Sequence, residues 1–227
     1  MEQETKQNND EKFDYDKSLK KKSDAHMQKI KFVDAWINRP LASLIVKAVF
    51  KTRITPNDLT YISGLFGLLG AISFTRGQYL FFIIGAVLAQ LSSIVDGADG
   101  MLARAKSMGS EYGAHLDLLL DRIIDFFILS GIGLGAAQYF KNPTLALLGI
   151  FGAGLYLLQI HLFYLTKSYL NIKDKGDTGE ARAILYWLIV VFSVVNRLDI
   201  AIYVLLAETI INTLWRFVSY IRMKPKP

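Results

Sequence analysis

Four carboxylates lie within twenty-six residues, Asp96 to Asp121, between segments apolar enough to cross a lipid bilayer. The stretch reads Asp96-x2-Asp99-Gly100-x2-Ala103-Arg104-x8-Gly113-x3-Asp117-x3-Asp121. Ionisable groups at membrane depth are costly and read by default as functional. Like charges crowded together cannot all stay ionised without compensation. Asp96 and Asp99 are spaced i, i+3, and Asp117 and Asp121 i, i+4, so each pair shares one helical face. The first pair ends one apolar segment and the second begins the next. Antiparallel packing of those two helix ends therefore brings all four acids together.

Divalent metal is the natural compensation. The chain has no cysteine and only three histidines, so oxygen ligands are expected. Hard cations such as Mg²⁺ or Mn²⁺ suit a carboxylate set and share their remaining positions with phosphate and water. Four acids suit two such ions. The formal net charge of +6 fits anionic lipid or anionic phosphate substrates, and the apolar blocks decide against nucleic acid as the partner.

The expected fold is all-α: a polytopic membrane protein of six transmembrane helices preceded by an interfacial amphipathic helix. Residues 1–28 are polar and mixed in charge, carry no apolar signal-peptide core, and are expected to form a disordered tail. Residues 29–52 make a juxtamembrane segment with apolar residues at helical spacing and Arg39, Lys47 and Lys51 among the polar positions. Pro40 is expected to kink or divide it. The six-helix domain covers 53–220, with spans at 57–76, 78–96, 114–138, 143–168, 181–195 and 198–217. Thr55-Pro56-Asn57-Asp58 opens the first span as N-cap, first-turn proline and an acid at the positive end of the helix dipole. Gly70, Gly77, Gly85, Gly131, Gly133 and Gly135 suit close helix packing. Basic residues gather in the N-terminal region, the 97–113 and 167–182 connections and the C-terminal tail, which places both termini and the acidic signature on the cytoplasmic side.

If the second helix continues past Asp99, then Gly100, Ala103 and Arg104 extend the acidic stripe. Small residues there let a ligand approach the backbone, and Arg104 can grip a phosphate with two hydrogen bonds. Gly113, one turn before Asp117, keeps the approach to the metals open. Such a set meets the needs of phosphoryl transfer: positioning, charge neutralisation and a base for the acceptor hydroxyl. The structural alternative is a buried polar network steadying a helix bundle.

At these residues the chain resembles the CDP-alcohol phosphatidyltransferase family. The family signature D-x2-D-G-x2-A-R-x8-G-x3-D-x3-D is matched at all eight fixed positions, and the resemblance covers roughly residues 30–220. It implies an integral membrane enzyme of phospholipid or phosphodiester biosynthesis that transfers a substituted phosphate from a CDP-alcohol, such as CDP-diacylglycerol, to a hydroxyl acceptor and releases CMP. By the same resemblance Asp96, Asp99, Asp117 and Asp121 hold two Mg²⁺ or Mn²⁺ ions, and Asp121 is the catalytic base. Gly100, Ala103, Arg104, Ser110, Gly113 and Asn57 line the CDP-donor site. The surroundings of the signature are most similar to members acting on inositol phosphates, including the di-inositol phosphate phosphate synthase type. The chain has no room for the nucleotidyltransferase domain sometimes fused to that type, so the activated donor is expected from another protein. A homodimer is implied by resemblance alone.

Lys167, Lys173, Lys175 and Arg182 could bind a phosphate on the acceptor or simply obey the positive-inside rule; Lys167 and Arg182 are the acceptor-site candidates. Asp125 can pair with Arg122 at i, i+3, leaving structure and function both open. His161 and Gln159 read as polar bundle contacts, His115 as solvated or packed, and Arg53 as a lipid-headgroup contact. A divalent-cation transporter would distribute its acids along the depth of a span. A prenyltransferase with aspartate-rich motifs would lack the Gly100, Ala103 and Arg104 arrangement.

Overall fold

The computed structural model describes residues 34–169 and 178–221. The tail expected over 1–28 and the basic positions Lys173 and Lys175 lie outside the described residues. Among the described residues the secondary structure is entirely helical. A π-helical turn, Asp34–Asn38, leads into α1 (Arg39–Val49). Then follow α2 (Pro56–Phe74), α3 (Tyr79–Ala105), α4 (Glu111–Tyr139), α5 (Thr144–Tyr169), α6 (Thr178–Val194) and α7 (Leu198–Ile221).

The local signals explain the starts. Thr55 caps α2 reciprocally: its Oγ1 accepts from the Asp58 amide at 3.3 Å, and Asp58 Oδ2 accepts from the Thr55 amide at 2.8 Å. Pro56 occupies the first turn, where no amide donor is required. Pro40 sits at an equivalent position in α1 and neither breaks nor kinks it. The change of geometry comes just before, where the π-helical turn gives way to α1. The segment is thus divided immediately before Pro40, one of the two outcomes expected of it.

Three helices are long and apolar enough to cross a membrane among the described residues: Tyr79–Ala105, Thr144–Thr166 and Leu198–Val218. The other three expected spans also form helices at the expected places, but with different make-up. α2 is diluted by Thr, Ser and Gly, α4 carries Asp117, Asp121, Arg122 and Asp125, and α6 has 17 residues. α3 runs nine residues past the expected end at Asp96, to Ala105. This extension places Asp99, Gly100, Ala103 and Arg104 on the same helix as Asp96.

α4 lies at the centre, packed on α2, α3, α5 and α7, while α6 closes against α3 and α7. The inner core joins Phe74, Phe82, Ile128, Ile132, Tyr186, Ile189 and Leu198. A second cluster fastens α1 to the bundle through Ala42, Val46, Leu59, Val95 and Leu102. The opposite face of α1 exposes Leu41 and Leu44, and the turn before it exposes Trp36. Asn38 adds a polar tie, its Oδ1 accepting from Gln90 Nε2 at 2.8 Å and from Trp187 Nε1 at 3.3 Å.

α4 and α5 meet backbone to backbone. A Cβ on Gly133 would lie 2.8 Å from the Gly149 Cα and 3.0 Å from the Leu145 carbonyl oxygen. Backbone cannot move aside as a flexible side chain can. Gly133→Leu is therefore expected to destabilise the bundle by about 1–3 kcal/mol or more through overpacking. Thermal unfolding of the purified protein in detergent measures this, and a melting temperature equal to wild type would contradict the close contact.

Candidate active site

Three elements build the site: the end of α3, the beginning of α4 and the first turn of α2. The connection from α3 to α4 is short. Ser107 takes a left-handed conformation at φ 55°, the Met108 amide donates to the Ala103 carbonyl at 2.9 Å, and Ser110 caps α4 by accepting from the Gly113 amide at 3.0 Å. This tight reversal faces the acids of the two helices toward each other. Asp96, Asp99 and Asp117 each offer a carboxylate oxygen, all within 4.8 Å of one another. Thr60, on the second turn of α2, lies with its Oγ1 2.5 Å from Asp99 Oδ2. Asp117 Oδ1 is buried and has no hydrogen-bond partner.

That donor set fits a hard divalent cation. Three convergent carboxylates from two rigid helices, one with a buried oxygen that meets no donor, match the ligand preference of such an ion. Asp121 lies beside this trio but is held differently. Its Oδ1 is 2.5 Å from Arg182 Nη1, and its Oδ2 is 3.4 Å from Arg122 Nη2. The same Arg182 Nη1 donates to Asp96 Oδ2 at 2.9 Å. Five carboxylates, counting Asp125, thus face two guanidinium groups among the described residues.

Arg182 was expected in the connection before the fifth span. It stands instead on the first turns of α6 and is buried in the acidic cluster. Its Nε donates to Asp125 Oδ1 at 3.0 Å, which also accepts from Tyr186 Oη at 2.9 Å. Asp125 Oδ2 accepts from Arg122 Nη1 at 3.3 Å. Asp125 is 1% exposed and answers three donors, so its structural role as the anchor of Arg182 is plain. The i, i+4 run Asp117, Asp121, Asp125 was visible in the sequence. The partner 57 residues away was not.

The expected donor-site residues fall in two groups. Arg104 folds back over Gly100, so that a Cβ there would come 3.4 Å from its Nη1. The charges of Arg39 and Asp99 both reach it. Ala103 is half-buried beside them. Asn57, Ser110 and Gly113 converge elsewhere: a Cβ on Gly113 would lie 2.8 Å from Asn57 Oδ1 and 3.1 Å from Ser110 Oγ. The helix starts of α2 and α4 are therefore adjacent. Lys106 closes the rim, with Nζ donating to the carbonyls of Thr52 at 2.9 Å and Ile54 at 2.8 Å. His115 is exposed, and the side chain of Lys167 lies outside the described residues.

The family model for CDP-alcohol phosphatidyltransferase matches residues 53–218. The chain belongs to the CDP-alcohol phosphatidyltransferase family. A bifunctional IPC transferase and DIPP synthase of Archaeoglobus fulgidus is 33% identical over 150 residues, covering 66% of this chain and 27% of that protein. An archaetidylinositol phosphate synthase of Pyrococcus horikoshii is 34% identical over 113 residues, or 50% of this chain and 58% of its own length. The chain thus matches less than two thirds of the length of these curated relatives. The fold is also that of the phosphatidylinositol phosphate synthase of Mycobacterium tuberculosis. Its crystal structure with manganese and citrate superposes with a TM-score of 0.67 at 18% identity, covering 82% of this chain and 93% of that one. The span matched by the family model takes in the signature acids together with Asp125 and Arg182.

Truncating the anchor tests that arrangement. Asp125→Ala leaves Arg182 and Tyr186 facing a buried void and is expected to cost about 3–5 kcal/mol of stability, the scale for removing one partner of a buried ion pair. Thermal unfolding in detergent reads the loss. An unchanged midpoint would show that Arg182 does not depend on Asp125.

Proposed function

We propose that this chain is a membrane-embedded phosphotransferase. It would move a substituted phosphate from a CDP-alcohol to a hydroxyl acceptor and release CMP. The observation that carries this reading is the placement of the complete eight-residue signature on two facing helix ends, with three of its carboxylates within 4.8 Å of one another. Asp96, Asp99, Asp117 and Asp121 would hold divalent cations, two Mg²⁺ or Mn²⁺ ions in all. The cations would neutralise charge on the donor diphosphate and on the leaving CMP.

The chain's own groups supply the rest. Asn57, Ser110 and Gly113 would form one side of the donor site and Gly100, Ala103 and Arg104 the other, a pairing suited to the cytidine diphosphate part of the donor. Arg104 would take a phosphate oxygen pair. Asp121 would accept the proton of the acceptor hydroxyl as its oxygen forms a new bond to the donor's distal phosphorus. The bond from that phosphorus to the CMP oxygen breaks, and CMP leaves with the electron pair.

The names of the relatives support a phosphorylated cyclitol such as an inositol phosphate as the acceptor. Arg182 and Lys167 remain the acceptor-phosphate candidates. Six spans, with α1 in the interface and the site open to the cytoplasm, give such soluble substrates access. The position of all the acids at one end of α3 and the facing half of α4 disfavours a cation pathway through the bundle.

The decisive assay supplies purified protein in lipid with Mg²⁺ or Mn²⁺, inositol phosphate, and either CDP-diacylglycerol or a soluble CDP-alcohol. Metal-dependent CMP release is expected from one donor. Asp121→Asn should lower it roughly 100- to 10,000-fold, the usual contribution of a general base. Cation flux across vesicles with no CMP release from either donor would overturn the proposal.

A further inference from the structure

Asp96 Oδ2 and Asp121 Oδ1 both point at a single atom, Arg182 Nη1, at 2.9 Å and 2.5 Å. Two carboxylate oxygens converging on one positive nitrogen define a cation position, and in this structure a side chain fills it. The trio Asp96, Asp99 and Asp117 is next to it and shares Arg182 through Asp96. We infer that Arg182 is a built-in occupant of one of the two cation positions, so that the site loads its cations in order and the second enters only by displacing Arg182.

The order follows from the unequal partners. At Asp96, Asp99 and Asp117 a first cation meets three convergent carboxylates, one of which, Asp117, has a buried oxygen with no donor, and it need break only the contact that Asp96 shares with Arg182. At Asp96 and Asp121 a second cation must first break two charge-assisted contacts to a buried arginine. Such contacts are strong where water is excluded. The second position is thus weaker than the first although its ligands are the same chemical groups.

The path of displacement is also present. Arg182 is held by two edges. Its Nε stays on Asp125 Oδ1 at 3.0 Å, while Nη1 takes the site acids. Tyr186 Oη lies 3.5 Å from Nη2 and itself donates to Asp125. Rotation about the Nε contact can release Nη1 without stranding the charge, because Asp125 keeps it compensated. A lysine could not do this. Its single ammonium offers no planar fork to hold the anchor and the site acids at once. The released Nη1 edge is then free to meet an incoming phosphate, which links cation loading to substrate readiness.

This inference rests on the reading of the acids as a divalent-cation site, and one experiment separates the two. Mn²⁺ binding to the full chain in detergent is followed by calorimetry, with the electron paramagnetic resonance signal of free Mn²⁺ as the second readout. The wild type should bind in two steps, the second weaker by on the order of tenfold or more, the scale of one net hydrogen bond to a charged group. Arg182→Gln should draw the steps together by strengthening the second. Arg182→Lys, which keeps the charge and is the gentler change for folding, should move the second step in the same direction by less. Two equivalent Mn²⁺ sites in the wild type, or a second step unmoved in both variants, would overturn the role of Arg182 and leave the metal reading intact. No Mn²⁺ binding by the wild type would overturn both.

Discussion

The contact between Arg182 Nε and Asp125 Oδ1, 3.0 Å long and sealed from solvent, is the interaction on which the site depends. It joins α6 to the central helix α4 at the depth of the acidic cluster. Neither partner tolerates solitude there: a buried charge that loses its partner costs several kcal/mol. The pair therefore fixes the register between α4 and α6, and the remaining edge of the guanidinium is aimed at Asp96 and Asp121 by geometry alone. Packing on the other side works by shape. Gly133 and Gly149 let α4 and α5 touch, leaving α4 no freedom to rotate away from its acids.

Much of this was legible in the sequence, for physical reasons that differ by element. The apolar blocks and their spacing located every helix from α2 to α7, because helical periodicity is imposed by the lipid-facing and core-facing surfaces. The acids Asp96, Asp99, Asp117 and Asp121 declared themselves by spacing, and their convergence followed from the short connection. Gly70, Gly85, Gly131, Gly133 and Gly135 signalled close packing, and each approaches backbone or a core ring of another helix.

What remained hidden was tertiary. Arg182 stood as an acceptor-phosphate candidate that the positive-inside rule explained equally well, and nothing marked it as a partner of the signature acids. Its burial depends on where α6 begins, and the apolar pattern there is too weak to mark that start. Asp125 was visible on the acidic face, but Arg122 at i, i+3 offered it a sufficient local partner. Thr60 gave no signal at all: a threonine in the second turn of an apolar helix is ordinary until Asp99 is found beside it.

Lys106 ties these levels together in a further way. Its ammonium holds the carbonyls of Thr52 and Ile54, on the short connection between α1 and α2, from the very end of α3. The length of that connection is therefore a calibrated dimension rather than slack. A residue inserted or deleted between 50 and 55 shifts the start of α2, carrying Asn57 and Thr60 with it, relative to an Arg104 that stays fixed on α3. Chain length in an ordinary-looking loop thus sets the spacing between the two groups.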